Sequence, residues 1–367
     1  MKVVQILPEL NAGGVEGHVL DLAGFLASTG HESIVISNGG HMVEKLEQRD
    51  VRHVTMPVHR KSLRSLFQVR KLRAWLRDEK PDIVHAHSRV PAWIAWLALR
   101  GMDPLTRPKF VTTVHGFYSV NAYSAIMTKG DRIIAVSESI RTYVQDKYPA
   151  CDPRRIEVIQ HGIDPTLYHP DFKPSDAWLA QWHHEHPELI GKKLLLLPGR
   201  ITRLKGHGDF FQLIKKLKQA GHPVCGLIAG NTHPKKQAYL DELHQQAESL
   251  GITNDITFLG HRSDLRELMV LSHIVMALSQ QPESFGLTVL EALSLRKPVV
   301  GYDRGGVGEL LAALYPAGRV PPKDSDALSA CVADILCNPS YPSSIGPFTQ
   351  ENMFTSTLGV YEELLRE

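Results

Sequence analysis

The chain has 367 residues, of which 43% are hydrophobic and 22% charged, with a net charge of +2. This length suits two domains better than one core, and the composition is that of an ordinary globular protein. The four cysteines form no CxxC pair, which argues against a zinc site or a disulfide framework and fits a reducing cytosol. No apolar run approaches the roughly 18–20 residues of a membrane span, and the start lacks a signal-peptide core, so we expect a cytoplasmic protein.

The charge is unevenly distributed along the chain. Residues 1–164 carry 22 Lys and Arg against 17 Asp and Glu, and the stretch His59–Lys80 alone carries eight against two. Such a stretch is either the solvated face of an amphipathic helix or a face that meets anionic lipid headgroups or an acidic acceptor. No aromatic stacking platform is interleaved with these cations, so we do not expect nucleic-acid binding.

Short β-branched runs alternate with helical patterns in the first half of the chain. The predicted strands are Lys2–Leu7, Ser33–Ser37, Pro81–His85, Phe110–Val114, Arg132–Val136 and Ile156–Ile159. Helical spacing is found over Glu16–Thr29 and Leu63–Arg77. This alternation predicts an α/β fold with a parallel sheet.

A second series of the same kind follows a break. Asp164–Glu188 is rich in Pro, His and acids and has weak periodicity, which is typical of an interdomain connection. The strands predicted beyond it are Lys193–Leu197, Val224–Ala229, Ile256–Leu259, Ile274–Ala277, Pro298–Gly301 and Gly318–Val320, with helices such as Gly208–Gln219 and Gln237–Leu250. The tail Phe348–Leu365 is helical in pattern.

These patterns predict an N-terminal Rossmann-like domain over residues 1–165, a linker over 166–190 and a C-terminal Rossmann-like domain over 191–345. Residues 346–367 are predicted to form a helix that packs back on the N-terminal domain. Two doubly wound domains joined in this way would face a central cleft, where ligands of such folds bind.

Two carboxylates and two cations carry the chemistry of the second half. Glu283 and Glu291 lie eight positions apart across a predicted helix start, and Arg200 and Lys205 follow a buried strand. Cations and helix-terminal N–H groups suit a pyrophosphate, and carboxylates suit the hydroxyls of ribose and sugar. Alone, the acidic pair would indicate only two solvated glutamates on a surface helix; the upstream cations favour a ligand site.

An Asp-x-Asp, the usual carboxylate pair for a Mg²⁺ or Mn²⁺ diphosphate site, occurs once, at Asp324-Ser-Asp326. It does not adjoin the predicted cations and glutamates, so we expect no metal at the diphosphate. His85 and His87 form a His-x-His on a predicted strand. No third ligand is evident near them in the sequence, so we do not expect a metal at this pair either. Arg203, between the two cations, is expected to be a solvated loop charge.

Six motifs occur in order along the chain. They are Gly13-Gly14, Thr113-Val-His115-Gly116, His161-Gly162-Ile-Asp164, Gly199-Arg200…Lys205-Gly206, Glu283-x-Phe-Gly…Glu291 and Asp303-x-Gly-Gly-x-x-Glu309. Together they resemble the retaining GT-B glycosyltransferases of the family 4 type, over roughly Met1 to Asn338. The resemblance implies a nucleotide diphosphate sugar as donor, no cofactor, no catalytic metal and retention of the anomeric configuration. One departure is His161, where many relatives have Asn.

The resemblance also implies roles for residues of the second domain. Glu291 would accept hydrogen bonds from ribose hydroxyls and Glu283 from hydroxyls of the transferred sugar. Arg200 and Lys205 would stabilise the leaving diphosphate. The N–H groups facing the distal phosphate would be those of Phe285, Gly286, Leu287 and Thr288. Asn231 and Arg262, each following a strand, would flank the nucleobase and the diphosphate.

In the first domain, the resemblance implies that His115 lies at the donor sugar, on the acceptor side. Gly13 and Gly14 would let the backbone approach the donor phosphate or sugar, because they lack side chains. The first domain would bind the acceptor and the second a UDP- or GDP-sugar, with UDP preferred.

The acceptor is expected to be a glycan or lipid-linked molecule of lipopolysaccharide or another envelope polysaccharide, reached by a peripheral contact with an anionic membrane surface. A small soluble acceptor remains an alternative. Other classes of protein are also open: a GT-B glycoside phosphorylase, a nucleotide-sugar epimerase, and a non-catalytic nucleotide-sugar binder.

Overall fold

The structure is a computed structural model that describes residues 1–11, 13–61, 64–232, 237–342 and 345–367, without the side chains of residues 64–66. Leu63, where one predicted helix begins, lies outside these residues. The chain divides into two compact units: Met1–Gln160 with Asn352–Glu367 forms the first, and His161–Glu351 forms the second.

The first unit is a seven-stranded parallel sheet with helices between its strands. The strands are β1 (Lys2–Ile6), β2 (Glu32–Ser37), β3 (Arg52–Thr55), β4 (Ile83–Ala86), β5 (Lys109–Val114), β6 (Arg132–Ala135) and β7 (Ile156–Val158). The helices are α1 (Gly14–Ser28), α2 (Val43–Glu47), α3 (Arg64–Glu79), α4 (Arg89–Arg100) and α5 (Glu138–Lys147). The strand order is β3-β2-β1-β4-β5-β6-β7.

The second unit is a six-stranded parallel sheet of the same kind. Its strands are β8 (Lys193–Pro198), β9 (Val224–Ala229), β10 (Ile256–Gly260), β11 (Ile274–Ala277), β12 (Val299–Tyr302) and β13 (Arg319–Val320), in the order β10-β9-β8-β11-β12-β13. Its helices are α6 (Asp176–Glu185), α7 (His207–Gln219), α8 (Gln237–Ser249), α9 (Leu265–Leu271), α10 (Leu287–Ser294), α11 (Gly305–Leu314) and α12 (Ser325–Cys337). A last helix, α13 (Gln350–Arg366), ends the chain.

The predicted α/β class with two parallel sheets is confirmed. The sequence analysis missed strand β3, whose residues are only half-buried or exposed and whose short sequence Arg-His-Val-Thr has no apolar run. No helix of the described residues is long and apolar enough to cross a membrane.

The stretch 166–190, predicted as linker, contributes helix α6 to the second unit. The Ser175 hydroxyl accepts a hydrogen bond from the Trp178 N–H and so caps the start of this helix. Trp182 is buried, and the Trp178 indole N–H donates to the Asp264 carboxylate at 2.8 Å. The tryptophans therefore attach this helix to the body of the second unit.

Both sheets wind outward in two directions from their first strand. In the first unit, β1 lies between β2 and β4; in the second, β8 lies between β9 and β11. At such a switch point the loops after the two central strands turn to opposite faces and leave a crevice at the carboxyl edge of the sheet. The crevices lie beyond β1 and β4 in one unit and beyond β8 and β11 in the other.

Helix α13 belongs to the core of the first unit. Phe354, Tyr361 and Leu364 are buried in one cluster with Val3 of β1 and Val111 of β5. Apolar packing therefore holds the last residues of the chain to its first strand.

Tyr361 also closes a buried polar chain. Its hydroxyl lies 2.6 Å from His85 Nδ1, and His85 Nε2 lies 2.6 Å from the Thr113 hydroxyl. His85 is fully buried, and burial lowers its pKa to about 3, which keeps the ring neutral.

We expect Tyr361→Phe to lower the free energy of unfolding by about 1–3 kcal/mol, because it leaves one buried nitrogen of His85 without its partner. Urea denaturation followed by circular dichroism measures the change. The matched control is Tyr341→Phe, since Tyr341 is 60% exposed, and its effect should stay within about 0.5 kcal/mol. Equal effects of the two variants would contradict a structural role for the His85 hydrogen bond.

Candidate functional site

The loop between β8 and α7 carries the predicted cations Arg200 and Lys205. It ends at Gly206, which has a left-handed backbone (φ 76°). A Cβ at Gly206 would lie 2.0 Å from the carbonyl oxygen of Leu278, just beyond β11. Only glycine lets the two segments approach so closely, so this residue holds Lys205 beside the end of β11.

The segment after β11 carries Glu283. The Lys205 ammonium donates to Glu283 Oε1 at 2.6 Å, and the Ser279 hydroxyl donates to the same oxygen. The Gly306 N–H holds the Glu283 backbone by donating to its carbonyl at 2.8 Å. A Cβ at Gly306 would lie 2.3 Å from the Cα of Phe285, so α11 packs directly against this segment.

The Glu283 carboxylate is stabilised in its ionised form. Burial acts to raise its pKa, but the charge of Lys205 and the hydrogen bonds from Lys205 and Ser279 outweigh burial and hold the pKa below its usual value. An ionised carboxylate and an ammonium therefore lie side by side beyond β11.

A cavity of about 690 Å³ opens at these residues. Its lining includes Arg200, Lys205, Ser279 and Glu283, all at the switch point of the second sheet. This volume lies within the ~300–1,000 Å³ that small-molecule sites occupy. Arg200 is exposed, and the ion pairs found in the described part of the chain do not involve it. Its charge is therefore available to an anion.

Arg203 also lines the cavity, but its side chain is held by other residues of the lining. Its guanidinium donates to both carboxylate oxygens of Glu242 and stacks 4.6 Å from the centre of the Tyr239 ring. The side chain remains largely exposed, as a solvated loop charge would be.

Glu291 lies in the second turn of α10, the helix that begins at Leu287 after a left-handed Gly286 (φ 103°). Burial raises the pKa of Glu291 to about 7, and a hydrogen bond from the Tyr168 hydroxyl only partly offsets this. The first N–H groups of α10, those of Leu287 and Thr288, precede its first internal hydrogen bonds and face outward from its start.

The other predicted residues of the second unit have different surroundings. The Phe285 ring is buried and packs edge-on against His161 at 5.3 Å between ring centres. The Arg262 guanidinium pairs with Asp264 and lies 5.8 Å from the Trp182 ring. The exposed Asn231 accepts a hydrogen bond at its carbonyl from the Ile201 N–H, which ties it to the loop that carries Arg200.

His115 lies in the first unit, just beyond β5, among further histidines. His115 Nε2 lies 3.1 Å from His87 Nδ1, and one ligand atom each of His18, His87 and His115 all lie within 4.8 Å of one another. The sequence analysis found no third ring near His85 and His87; His18 of α1 and His115 bring two rings beside His87. Three elements therefore converge at the switch point of the first sheet.

Gly13 and Gly14 follow β1 and lie at the start of α1, beside the same crevice. Gly13 has an extended backbone (φ 174°) and forms the N-terminal cap of α1. A Cβ at Gly14 would meet no atom within 4 Å, so packing inside the protein does not demand glycine there.

Two family descriptions match successive parts of the chain. Residues 12–167 match "Glycosyltransferase Family 4", and residues 180–351 match "Glycosyl transferases group 1". The two matches follow the two units and between them span most of the sequence. The chain belongs to the group 1 glycosyltransferases of the family 4 type.

Curated relatives are of several kinds. The chain is 26% identical over 59% of its length to a "Lipopolysaccharide core biosynthesis mannosyltransferase LpcC" of Rhizobium leguminosarum bv. viciae, spanning 57% of that protein. It is 27% identical over 64% of its length to an "Alpha-maltose-1-phosphate synthase" of Mycolicibacterium smegmatis, spanning 62% of that protein. The matches thus span about six-tenths of the length of these relatives.

Solved structures share the fold over the whole chain. A glycosyltransferase from Rickettsia africae ESF-5 superposes with a TM-score of 0.86 at 26% identity, covering 100% of this chain and 99% of the other. Anabaena HepE, solved in complex with UDP, has a TM-score of 0.80 at 22% identity, covering 99% and 100%. The two sheets with their helices are therefore a GT-B fold.

Three residues beside the predicted ones were missed by the sequence analysis. Ser279 contacts Glu283, Tyr168 contacts Glu291, and His18 lies beside His115. Tyr168 lies in the stretch that the sequence predicts as linker, and nothing in its local pattern marks it. The position of His18 one turn into α1, four residues after Gly14, is the one signal that could have drawn attention to it.

We expect Glu291 to make stability fall as pH rises from about 4.5 to about 7. In this window the folded protein still holds the Glu291 proton, whereas the unfolded chain has released it, so unfolding becomes easier with increasing pH. The slope contributed by Glu291 is at most about 1.4 kcal/mol per pH unit.

Urea denaturation of the wild type and of Glu291→Gln across pH 4–9 measures this contribution. The difference in unfolding free energy between the two should change through the window and level off above about pH 7. A difference that stays constant with pH would contradict the raised pKa.

Proposed function

We propose that the protein is a retaining, metal-independent glycosyltransferase. It transfers a hexose-type sugar from a nucleotide diphosphate sugar, UDP in preference to GDP, to a hydroxyl of a glycan or lipid-linked acceptor. The second unit binds the donor, and the first unit binds the acceptor. The pathway that fits is lipopolysaccharide or other cell-envelope polysaccharide synthesis, the process named for the Rhizobium relative.

The observation that supports this most directly is the Lys205–Glu283 pair beside Arg200 in one cavity. Lys205 and Arg200 give two positive charges for a diphosphate, and Glu283 gives an acceptor for sugar hydroxyls. The start of α10 adds N–H groups and a favourable dipole for the distal phosphate.

In the proposed reaction, the bond between the anomeric carbon and the diphosphate oxygen breaks, and a glycosidic bond to the acceptor oxygen forms on the same face. Arg200, Lys205 and the start of α10 stabilise the negative charge that develops on the leaving diphosphate. The acceptor proton passes to the leaving phosphate oxygen. His115 hydrogen-bonds the donor sugar and orients the reacting groups, and Glu291 binds the ribose hydroxyls.

We expect UDP to raise the melting temperature of the purified protein equally with and without EDTA, since the cations that bind the diphosphate are side chains. Lys205→Ala should weaken UDP binding at least about tenfold, because it removes a charge-assisted hydrogen bond. The matched control is Lys216→Ala, since Lys216 forms a lysine–carboxylate pair of the same 2.6 Å length with the exposed Asp326. Isothermal titration calorimetry gives the affinities.

Equal UDP affinity of Lys205→Ala and wild type, or a UDP shift that EDTA abolishes, would contradict the proposed donor site. Activity assays then separate the classes of enzyme. Release of sugar 1-phosphate that depends on inorganic phosphate would indicate a phosphorylase, and interconversion of the donor without acceptor would indicate an epimerase.

We also propose a peripheral contact of the first unit with anionic membranes, through an exposed face of α3. Phe67 is 72% exposed, and Arg70 and Lys71 follow it at helical spacing and are exposed. By contrast, Arg73 donates to carbonyls of α4 and holds the two helices together. An apolar ring flanked by cations suits the headgroup region of an anionic bilayer.

We expect the protein to co-sediment with vesicles containing phosphatidylserine at low salt and to be released at high salt. Each basic residue at such a surface contributes about 1 kcal/mol, so Arg70→Glu with Lys71→Glu should weaken binding more than about tenfold. The control is the pair Lys45→Glu and Lys173→Glu, two exposed lysines elsewhere. Absence of salt-dependent binding, or equal losses in the two double variants, would contradict the proposed face.

A further inference from the structure

Two cations of the first unit are held against tyrosine rings. The Lys61 ammonium lies 4.3 Å from the centre of the Tyr123 ring. The Arg89 guanidinium carbon lies 4.8 Å from the Tyr118 ring and 5.4 Å from the Tyr123 ring, and Arg89 also donates to the Ser124 hydroxyl at 3.2 Å. These contacts fix the position of both positive charges.

In the part of the chain that the structure describes, no carboxylate forms an ion pair with either cation. Among the ion pairs found in the described ranges of the chain, none involves Lys61 or Arg89, although pairs are formed elsewhere in the first unit, such as Arg49–Asp21 and Arg107–Asp131. Both cations contact the Tyr123 ring, so they lie in one region of the first unit, and their like charges together favour an anion there. The arrangement is therefore more favourable with an anion than without one.

Arg89 lies beyond the same strand as His87, a neighbour of His115. Arg89 is the first residue of α4 and comes two residues after His87, at the switch point of the first sheet. An anion at Arg89 would thus lie at the same crevice as His87, whose ring lies 3.1 Å from that of His115.

An exposed aromatic ring, that of Phe117, directly precedes Tyr118 in the chain. Phe117 is 37% exposed, and Tyr143 supports it edge-on at 5.3 Å between ring centres. Exposed aromatic faces pack against the apolar C–H face of a sugar, while nearby polar groups fix its orientation. Cations and ring together suit a sugar that carries a negative charge.

We propose that Lys61 and Arg89, with Phe117, form a subsite of the first unit that recognises a carboxylate or phosphate group on the acceptor sugar. This inference rests on the proposed function and names the chemical class of its acceptor: an acidic sugar. The charge is recognised at the crevice beyond β4, and a neutral sugar lacks the group that Lys61 and Arg89 bind.

The test titrates the full chain with methyl β-D-glucuronide, glucose 6-phosphate and, as the neutral reference, methyl β-D-glucoside, followed by ligand-observed NMR at low salt. The protein carries Arg200→Gln and Lys205→Gln in every titration, so that the cavity of the second unit does not compete for the anions. At least one charged sugar should bind about tenfold tighter than the neutral one. The tighter of the two identifies carboxylate or phosphate as the group recognised.

Adding Arg89→Gln should remove most of this preference, whereas Arg89→Lys, which keeps the charge, should retain part of it. The matched control is Arg100→Gln at the other end of α4, because the Arg100 guanidinium also lies 4.8 Å from an aromatic ring, that of Trp96. It should leave the preference unchanged.

Equal binding of the charged and neutral sugars, or a preference that survives Arg89→Gln, would overturn the inference. The proposed donor site is judged separately by UDP binding to the protein with native Arg200 and Lys205. Either proposal can therefore fail while the other stands.

Discussion

Each of the two sheets winds outward from its first strand, and this winding determines where chemistry can occur. Because β1 lies between β2 and β4, and β8 between β9 and β11, the loops beyond those central strands diverge and leave a crevice. Arg200 and Lys205 follow β8, and Glu283 follows β11; His87 follows β4, and His18 lies near the start of α1, after β1. Residues far apart in sequence meet at these two points because parallel strands bring all their carboxyl ends to one edge.

The two crevices differ in their balance of positive and negative charge. In the second unit, Lys205 is matched by Glu283, and both are oriented by backbone held close through Gly206 and Gly306. Charges that are already oriented need little reorganisation when a ligand arrives, which is what electrostatic stabilisation of a leaving group requires. In the first unit, Arg89 is held by aromatic rings, and its positive charge is not cancelled by a neighbouring acid in the described residues. One crevice thus presents both signs of charge and the other mainly one.

Strands buried on both faces could be predicted from sequence, because burial demands a continuous apolar run such as Val224–Ala229. The edge strand β3 and the helix α6 could not: β3 is half-exposed, and α6 is attached chiefly by two tryptophans rather than by an apolar stripe. The site residues Lys205 and Glu283 were predicted as a set, first from their residue types and then from the motif resemblance. Their contact was not predictable, since it joins positions 78 residues apart and depends on which strands are neighbours. The same holds for Tyr168 and Glu291.

The packing of α13 within the first unit bears on how the chain acquires its structure during synthesis. A ribosome delivers the first 160 residues long before Phe354, Tyr361 and Leu364, yet these three complete the core around Val3 and Val111. While the second unit is being translated, the first unit lacks α13 and exposes an apolar surface along its sheet. Chaperones bind surfaces of this kind. A premature stop codon near residue 350 would therefore leave the core of the first unit incomplete, although every residue of the second unit's sheet would already have been made.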